Sequence, residues 1–174
     1  AGAAGASQVI IVGRNVERLA EAKNDVEVAA ANAGNKTCLV RTASVDVTDE
    51  AAVRSFMSTL PKNSIDHLVT TPGGSAKLGN LIANKRTCSD VRRQFDLKFF
   101  AQLAPVLAIG DKIKVGGSIT MTSGILSRRP GRGNDALAVS NAAIECCVKC
   151  LANDYGFDGR RVRVNCLSTG MTLT

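Results

Sequence analysis

Side chains able to move a proton or attack an electrophile are few in this chain and widely spaced. There is one histidine, His67, and one tyrosine, Tyr155. Ser123 closes the run Gly117-Ser118-Ile119-Thr120-Met121-Thr122-Ser123, which reads as a strand delivering a hydroxyl at its end. A nucleophilic serine needs a base within hydrogen-bond reach. His67 precedes another apolar run and no second histidine exists, so Ser123 reads as a leftover or core serine. The six cysteines are Cys38, Cys88, Cys146, Cys147, Cys150 and Cys166. Cys146 and Cys150 lie one helical turn apart and could share a metal, but a structural site normally needs four ligands. With no further ligand cluster, they are expected to be buried small apolar residues in a reducing, intracellular compartment, with no metal.

These residues are carried by alternating strands and helices. Gln8–Val12 is a continuous apolar run, as expected of a strand buried on both faces. Val16–Ala33 reads as a helix stopped by Gly34, Cys38–Ser44 as a strand, and Asp49–Leu60 as a helix with Pro61 beyond its end. His67–Thr71 is a short strand. Asp90–Ile109 is a long helix that Pro105 should bend or break. Ser118–Thr122 is a strand, Ala136–Tyr155 a helix, and Val162–Leu167 a strand. Such alternation predicts parallel pairing in a Rossmann-like, doubly wound α/β sheet with helices on both faces, the strand after Ser7 lying beside the strand after Thr37. At 174 residues the chain fits a single domain. It is 45% hydrophobic but only 3% aromatic, so the core must be built from small aliphatic side chains and cysteine. No apolar run is long enough to span a bilayer, and the first six residues are too short and uncharged for a secretory signal.

Several ordered stretches, taken together, resemble the short-chain dehydrogenase/reductase family. Gln8-Val-Ile-Ile-Val-Gly-Arg14 is similar to its second strand and following turn. Ser44-Val-Asp46-Val47-Thr48-Asp49 resembles its Asp-Val-Thr turn, and Ile65-Asp-His-Leu-Val-Thr-Thr71-Pro72-Gly73 its Asp-x-Leu-Val-Asn-Asn-Ala-Gly. Gly117–Ser123 resembles the strand of the catalytic serine, and Val162-Arg-Val-Asn165-Cys-Leu-Ser-Thr169-Gly170 its Val-Asn-x-x-x-Pro-Gly. Asp135-Ala-Leu137-Ala-Val-Ser-Asn141-Ala-Ala143 looks like the catalytic helix, where the family has Tyr-x-x-x-Lys. Leu137 and Asn141 occupy those two places.

The resemblance implies a role for each matching position. Ser123 would orient a substrate carbonyl. Leu137 cannot donate a proton, and the Asn141 amide cannot lower a neighbour's pKa as an ammonium does. Tyr155 lies roughly 27 Å along the helix from Leu137 and cannot substitute. Asp96 stands where the family often has a structural and proton-relay asparagine. Arg14 would suit the 2′-phosphate of NADP, the alternative being a solvated arginine opening a helix. Asp46 and Val47 match the adenine contact, or else form an ordinary helix start. Gly73 would let backbone approach the cofactor, or else mark a turn, and Thr174 matches the threonine that closes on the carboxamide. The family's first strand and its Gly-x-x-x-Gly-x-Gly turn, which cradles pyrophosphate on a helix N-terminus, have no counterpart here. The substrate lid and last strand are also beyond this sequence. The expectation is a fragment of a longer chain that binds no cofactor by itself, and NADP(H) if the native protein carries the turn upstream.

Two functional expectations follow. The first is a catalytically degenerate reductase-like domain with a structural, accessory or regulatory role, for instance as a subunit of a larger complex. The second is an active NADP(H)-dependent oxidoreductase with a non-standard active site. In helix 136–155, Asn141, Glu145, Lys149 and Asn153 form one polar stripe and the remainder is apolar, so burial on more than one side is expected. A protein partner or a second copy could supply one side, and the family's dimers form through a similar helix; helices of the same chain are the alternative. Net charge is +7, with clusters at Arg92-Arg93, Arg128-Arg129 with Arg132, and Arg160-Arg161 with Arg163. They are solvated loops or a surface for an acidic protein or anionic membrane. Nucleic acid is disfavoured because no aromatic stacking set accompanies them.

Overall fold

The computed structural model describes residues 1–73 and 79–170. They form an α/β structure of parallel sheets flanked by helices, in two compact units, the first spanning Ala1–Val47 and the second beginning at Thr48. Every strand pair is parallel, as the strand–helix alternation requires.

The first unit is β1 (Gln8–Gly13), α1 (Val16–Asn32) and β2 (Leu39–Ser44). β1 and β2 pair from Gln8 with Leu39 through Gly13 with Ser44, in the expected order. Asn15 caps α1 by accepting from the Arg18 amide at 2.7 Å, satisfying one donor at an open helix end. Gly34, at φ 83°, follows its end in the left-handed region that favours glycine. Asn35 then donates to the carbonyls of Gly2 and Ala6, both at 2.9 Å, tying the first residues to the end of α1. β1 is less enclosed than its apolar run implies: Val12 is 37% exposed. Among the described residues the strand has a ladder partner on one side only, and one neighbour cannot bury both edges and faces.

The second unit holds α2 (Glu50–Ser58), β3 (Ile65–Thr70), α3 (Cys88–Phe95), α4 (Ala101–Ala108), β4 (Ile113–Gly124), α5 (Asp135–Phe157) and β5 (Arg163–Thr169). Its sheet order is β3-β4-β5. α5 packs on β4 and β5, and α4 on β3. The core between them is Val106, Ile109, Ile113, Ile119, Met121, Ile144, Val148 and Val164. Each such side chain contributes about 1.5–3 kcal/mol when fully buried. Asp49 caps α2 through the amides of Ala51 and Ala52, and Thr87 and Asp90 close a capping box on α3.

Three expectations need correction. The long helix does not break at Pro105, which lies inside α4; the irregularity falls upstream, where Asp96–Phe100 forms a π-helical turn. There the Ala101 amide reaches back to the Asp96 carbonyl, a widened turn that disturbs the ladder before proline is reached. The cysteines are not uniformly buried: Cys88, Cys146 and Cys150 are exposed, because they fall on outward helix positions. The polar stripe of α5 does not share one environment. Asn141 is buried against the sheet and Glu145 half-buried, while Lys149 and Asn153 face solvent beside exposed Val139 and Cys146. Among the described residues no helix is long and apolar enough to cross a membrane.

Candidate active site

β4 ends at Ser123 and Gly124, and α5 returns across that end with Leu137, Asn141 and Glu145 on successive turns. Residues four apart share a helix face, so all three project toward one region. Ser123 is 3% exposed and Asn141 2%. The Ser123 hydroxyl lies 3.1 Å from the Asn141 carbonyl oxygen and 3.1 Å from Glu145 Oε1. It has one proton to give, and both acceptors belong to α5. Ser127 Oγ donates to Glu145 Oε1 at 2.6 Å, and Arg128 Nε donates to Glu145 Oε2 at 3.2 Å. One carboxylate thus gathers the strand end, the turn beyond it and the loop arginine.

The electrostatics follow from those partners. The Ser127 hydrogen bond, then those from Arg128 and Ser123, outweigh desolvation and hold the Glu145 carboxyl below the usual glutamate range. Glu145 is therefore ionised at neutral pH and accepts hydrogen bonds from its neighbours rather than supplying a proton. Leu137 offers no titratable atom. Among the described residues Asn141 Oδ1 has no hydrogen-bond partner, while its Nδ2 faces Gly124, where an added Cβ would lie 2.9 Å from that nitrogen. Gly124 thus leaves room for the Asn141 amide, which would have to shift to admit a Cβ. Cys166 on β5 is the thiol electrostatically linked to this group. Burial, and then the Glu145 charge, push its pKa up, so it stays a thiol rather than a nucleophilic thiolate. Tyr155, 8% exposed, lies near the far end of α5 under the Arg160 guanidinium.

A second polar group fastens the sheet behind this site. Gln102 on α4 is fully buried. Its Nε2 donates to the Thr122 carbonyl at 2.7 Å, and its Oε1 accepts from the Thr122 amide at 2.7 Å and from Thr70 Oγ1 at 3.1 Å. β3 stops at Thr70, and Pro72 has no N–H to extend a ladder. The Gln102 amide takes over the pairing of β4 at that point, one residue before Ser123.

In the first unit, the ends of β1 and β2 bring Arg14 and Asp46 together. Arg14 Nη1 lies 3.7 Å from Asp46 Oδ2, with both side chains well exposed. Val47, one residue on, is half-buried. Gly73 is exposed in the loop after β3, Asp96 is exposed at the start of the π turn, and Thr174 lies outside the described residues. Glu145 and Gln102 were not singled out from sequence as site residues. Both left a signal: Glu145 lies one turn beyond Asn141, and Gln102 is the only polar residue in Ala101–Ala108. Among the described residues no group of three or more His, Cys, Asp or Glu side chains could hold a metal ion.

The α/β layout, the serine-bearing strand end and the helix crossing it define the class of protein. The family described as enoyl-(acyl carrier protein) reductase matches residues 3–174. The chain belongs to the short-chain dehydrogenase/reductase family. A short-chain type dehydrogenase/reductase from Mycobacterium ulcerans superimposes with a TM-score of 0.82 at 24% identity, covering 98% of this chain and 62% of that one. A small-chain dehydrogenase in complex with NADPH superimposes with a TM-score of 0.71 at 28% identity, covering 95% of this chain and 72% of that one. An NADPH-bound short chain oxidoreductase from Pseudomonas aeruginosa PAO1, which contains an atypical catalytic center, gives 0.81 at 21% identity, covering 96% and 63%. The chain thus spans about three fifths of the length of the Mycobacterium ulcerans protein. No curated protein sequence matches.

Proposed function

We propose that this chain is a catalytically degenerate reductase domain with a structural, accessory or regulatory role. The observation that carries the reading is the state of the serine strand end. Leu137 and Asn141 stand at the two positions of the proton-transfer pair, and both hydrogen-bond acceptors of Ser123 come from α5. An alkoxide formed by hydride delivery needs a proton donor, and the cluster contains an ionised carboxylate, an amide and a leucine instead. Removing a general acid alone typically costs about 10²–10⁴ in rate, and losing its partner adds little because such groups act as a unit.

A nicotinamide cofactor fits the first unit better than it fits the chemistry. When bound, it would supply hydride. Arg14 is exposed, and its long ion pair with Asp46 leaves the guanidinium free to turn onto a 2′-phosphate. Asp46 and Val47 would border the adenine, and Gly73, in the second unit, stays a separate expectation drawn from the family resemblance. NADP(H) binding is expected of a native protein that carries the phosphate-cradling turn, and weak or no binding of residues 1–174 alone. Partner binding belongs to the same reading. α5 leaves Val139 54% and Phe157 92% exposed, a face suited to a second copy or another subunit. The arginine clusters suit an acidic protein or anionic surface.

A second reading is an active NADP(H)-dependent oxidoreductase with a non-standard centre. The Pseudomonas aeruginosa protein favours it to this extent: an atypical catalytic center and bound NADPH coexist there on the same fold. Calorimetric titration of the full-length protein with NADPH, alongside assay of a carbonyl panel, separates the two. Binding without turnover supports the degenerate reading. Turnover abolished by Ser123→Ala supports the second.

A further inference from the structure

Cys146, Cys147 and Cys150 all lie on α5, but they do not share one environment. Cys146 and Cys150 are exposed and Cys147 is half-buried. A thiol that faces solvent fills no core, so the packing role expected of the pair is gone. Residues four apart lie one above the other on a helix face, which makes the two exposed thiols neighbours on one strip of surface. The turn that carries them is held from behind, because Ile144 and Val148, on the opposite side of α5, are in the core. Cys147 sits one position round the helix, toward the protein. Burial, then the charges of Cys150 and Cys146, push its pKa up. The cysteines of this stretch are thus within electrostatic reach of one another, and Cys147 is the one kept as a thiol.

Spacing decides which chemistry suits the exposed pair. Side chains four apart on a helix have Cβ atoms about 5–6 Å apart. A disulfide needs about 3.5–4.5 Å, so closing one would distort a helix that the core holds in place. An ion between the sulfurs replaces one sulfur–sulfur bond with two metal–sulfur bonds and spans the wider gap. A structural zinc takes four ligands, and among the described residues no group of three or more His, Cys, Asp or Glu side chains could supply even three. Thiolates select soft ions, and a monovalent ion with a filled d shell, such as Cu(I), is satisfied by two of them in line. Asp154, four residues beyond Cys150, already acts on this cluster through its charge and favours a cation there. Lys149, exposed beside Cys150, opposes it and favours the thiolate.

We propose that Cys146 and Cys150 form a two-thiolate site on the outer face of α5 for a soft monovalent cation of the Cu(I) kind. Binding displaces one proton from each thiol and forms two metal–sulfur bonds. Neither sulfur nor the ion changes oxidation state, so no oxidant or reductant is consumed. The site uses no residue of the Ser123 cluster and none of the cofactor expectations. It requires only that this face of α5 be open to solvent in the native protein.

The test is anaerobic titration of the reduced full-length protein with Cu(I) in competition with bathocuproine disulfonate, a coloured chelator of the same ion. The wild-type protein is expected to withdraw one more Cu(I) per chain than Cys146→Ser/Cys150→Ser. Cys146→Ser and Cys150→Ser, taken singly, should each weaken that site by about 10²-fold or more, because one thiolate no longer presents the ion to a second at high effective concentration. Cys147→Ser and Cys88→Ser should leave it unchanged, the first testing the buried neighbour and the second a solitary exposed thiol. Serine is close to cysteine in size and in helix preference, and melting curves check that every variant is folded. Equal copper uptake by the wild-type protein and the double variant overturns the proposal, as does an equal loss in Cys147→Ser. A wild-type protein that withdraws no copper overturns it as well, whether the thiols fail to hold the ion or a partner covers them. No arm reads NADPH or turnover, so an active enzyme would overturn the degenerate reading and leave this result standing.

Discussion

Arg14–Asp46 and Ser123–Glu145 both lie at the carboxyl ends of parallel strands, where ligands bind in open α/β sheets. They differ in what their polar atoms are doing. The Arg14–Asp46 pair is exposed and long, at 3.7 Å, so that contact does little to hold the Arg14 guanidinium against a ligand. The Ser123 hydroxyl is buried, with both acceptors, at 3.1 Å, on a helix of its own chain. Polar groups committed to joining a strand to a helix are not available to orient a substrate. On the reading proposed above, the strand ends of the first unit keep the character of a binding surface, while the polar atoms at the end of β4 serve the scaffold.

That contrast breaks most visibly at Gln102. Replacing it with alanine leaves the Thr122 amide and carbonyl without their buried partner beside Ser123. A loss of about 2–5 kcal/mol in urea denaturation is expected. A loss below about 1 kcal/mol would mean that water or another group satisfies β4, and that the strand end is looser than described.

Glu145→Gln sharpens the comparison through pH. The Glu145 carboxyl is depressed in the folded state, so its contribution is present above the unfolded glutamate pKa and is lost as pH falls through the folded value. The wild-type protein should exceed the variant by about 1–3 kcal/mol at neutral pH, with the gap closing as the medium is acidified below the ordinary glutamate range. Asp90, Asp111 and Asp158 are also depressed by local hydrogen bonds, but they are present in both proteins and cancel. A gap independent of pH would remove the carboxylate from the account.

Arg14→Ala is the smallest perturbation of the fold and the one most specific to ligand binding. Exposed ion pairs of this kind change stability by less than about 1 kcal/mol. In the full-length protein the variant should lose affinity for NADPH while holding its affinity for NADH. An unchanged ratio of the two affinities would make Arg14 an ordinary solvated residue.

Much of this architecture is legible in the sequence because strands and helices declare themselves through apolar runs and their stops. Gly34 ends α1 and Asp49 opens α2 as written. What stays hidden is decided by tertiary neighbours. Nothing in Asp96-Leu-Lys-Phe-Phe100 announces a π turn, and Pro105 draws attention to the wrong residue. The replacement of the family's tyrosine and lysine is readable at Leu137 and Asn141. The capture of Ser123 by Glu145 is not, because it depends on how α5 rotates over β4, and a rotation that buries Asn141 beneath one face cannot be read from a four-residue polar repeat.

The central claim is that the serine strand end no longer performs proton transfer. The most direct test is NADPH oxidation by the native full-length protein over a carbonyl panel, set beside the same protein carrying Leu137→Tyr with Asn141→Lys. Thermal melts would confirm that a lysine at the buried 141 position is tolerated. The account predicts no turnover by the unmodified protein and measurable turnover once the pair is restored. Turnover by the unmodified protein, abolished by Ser123→Ala, would contradict it.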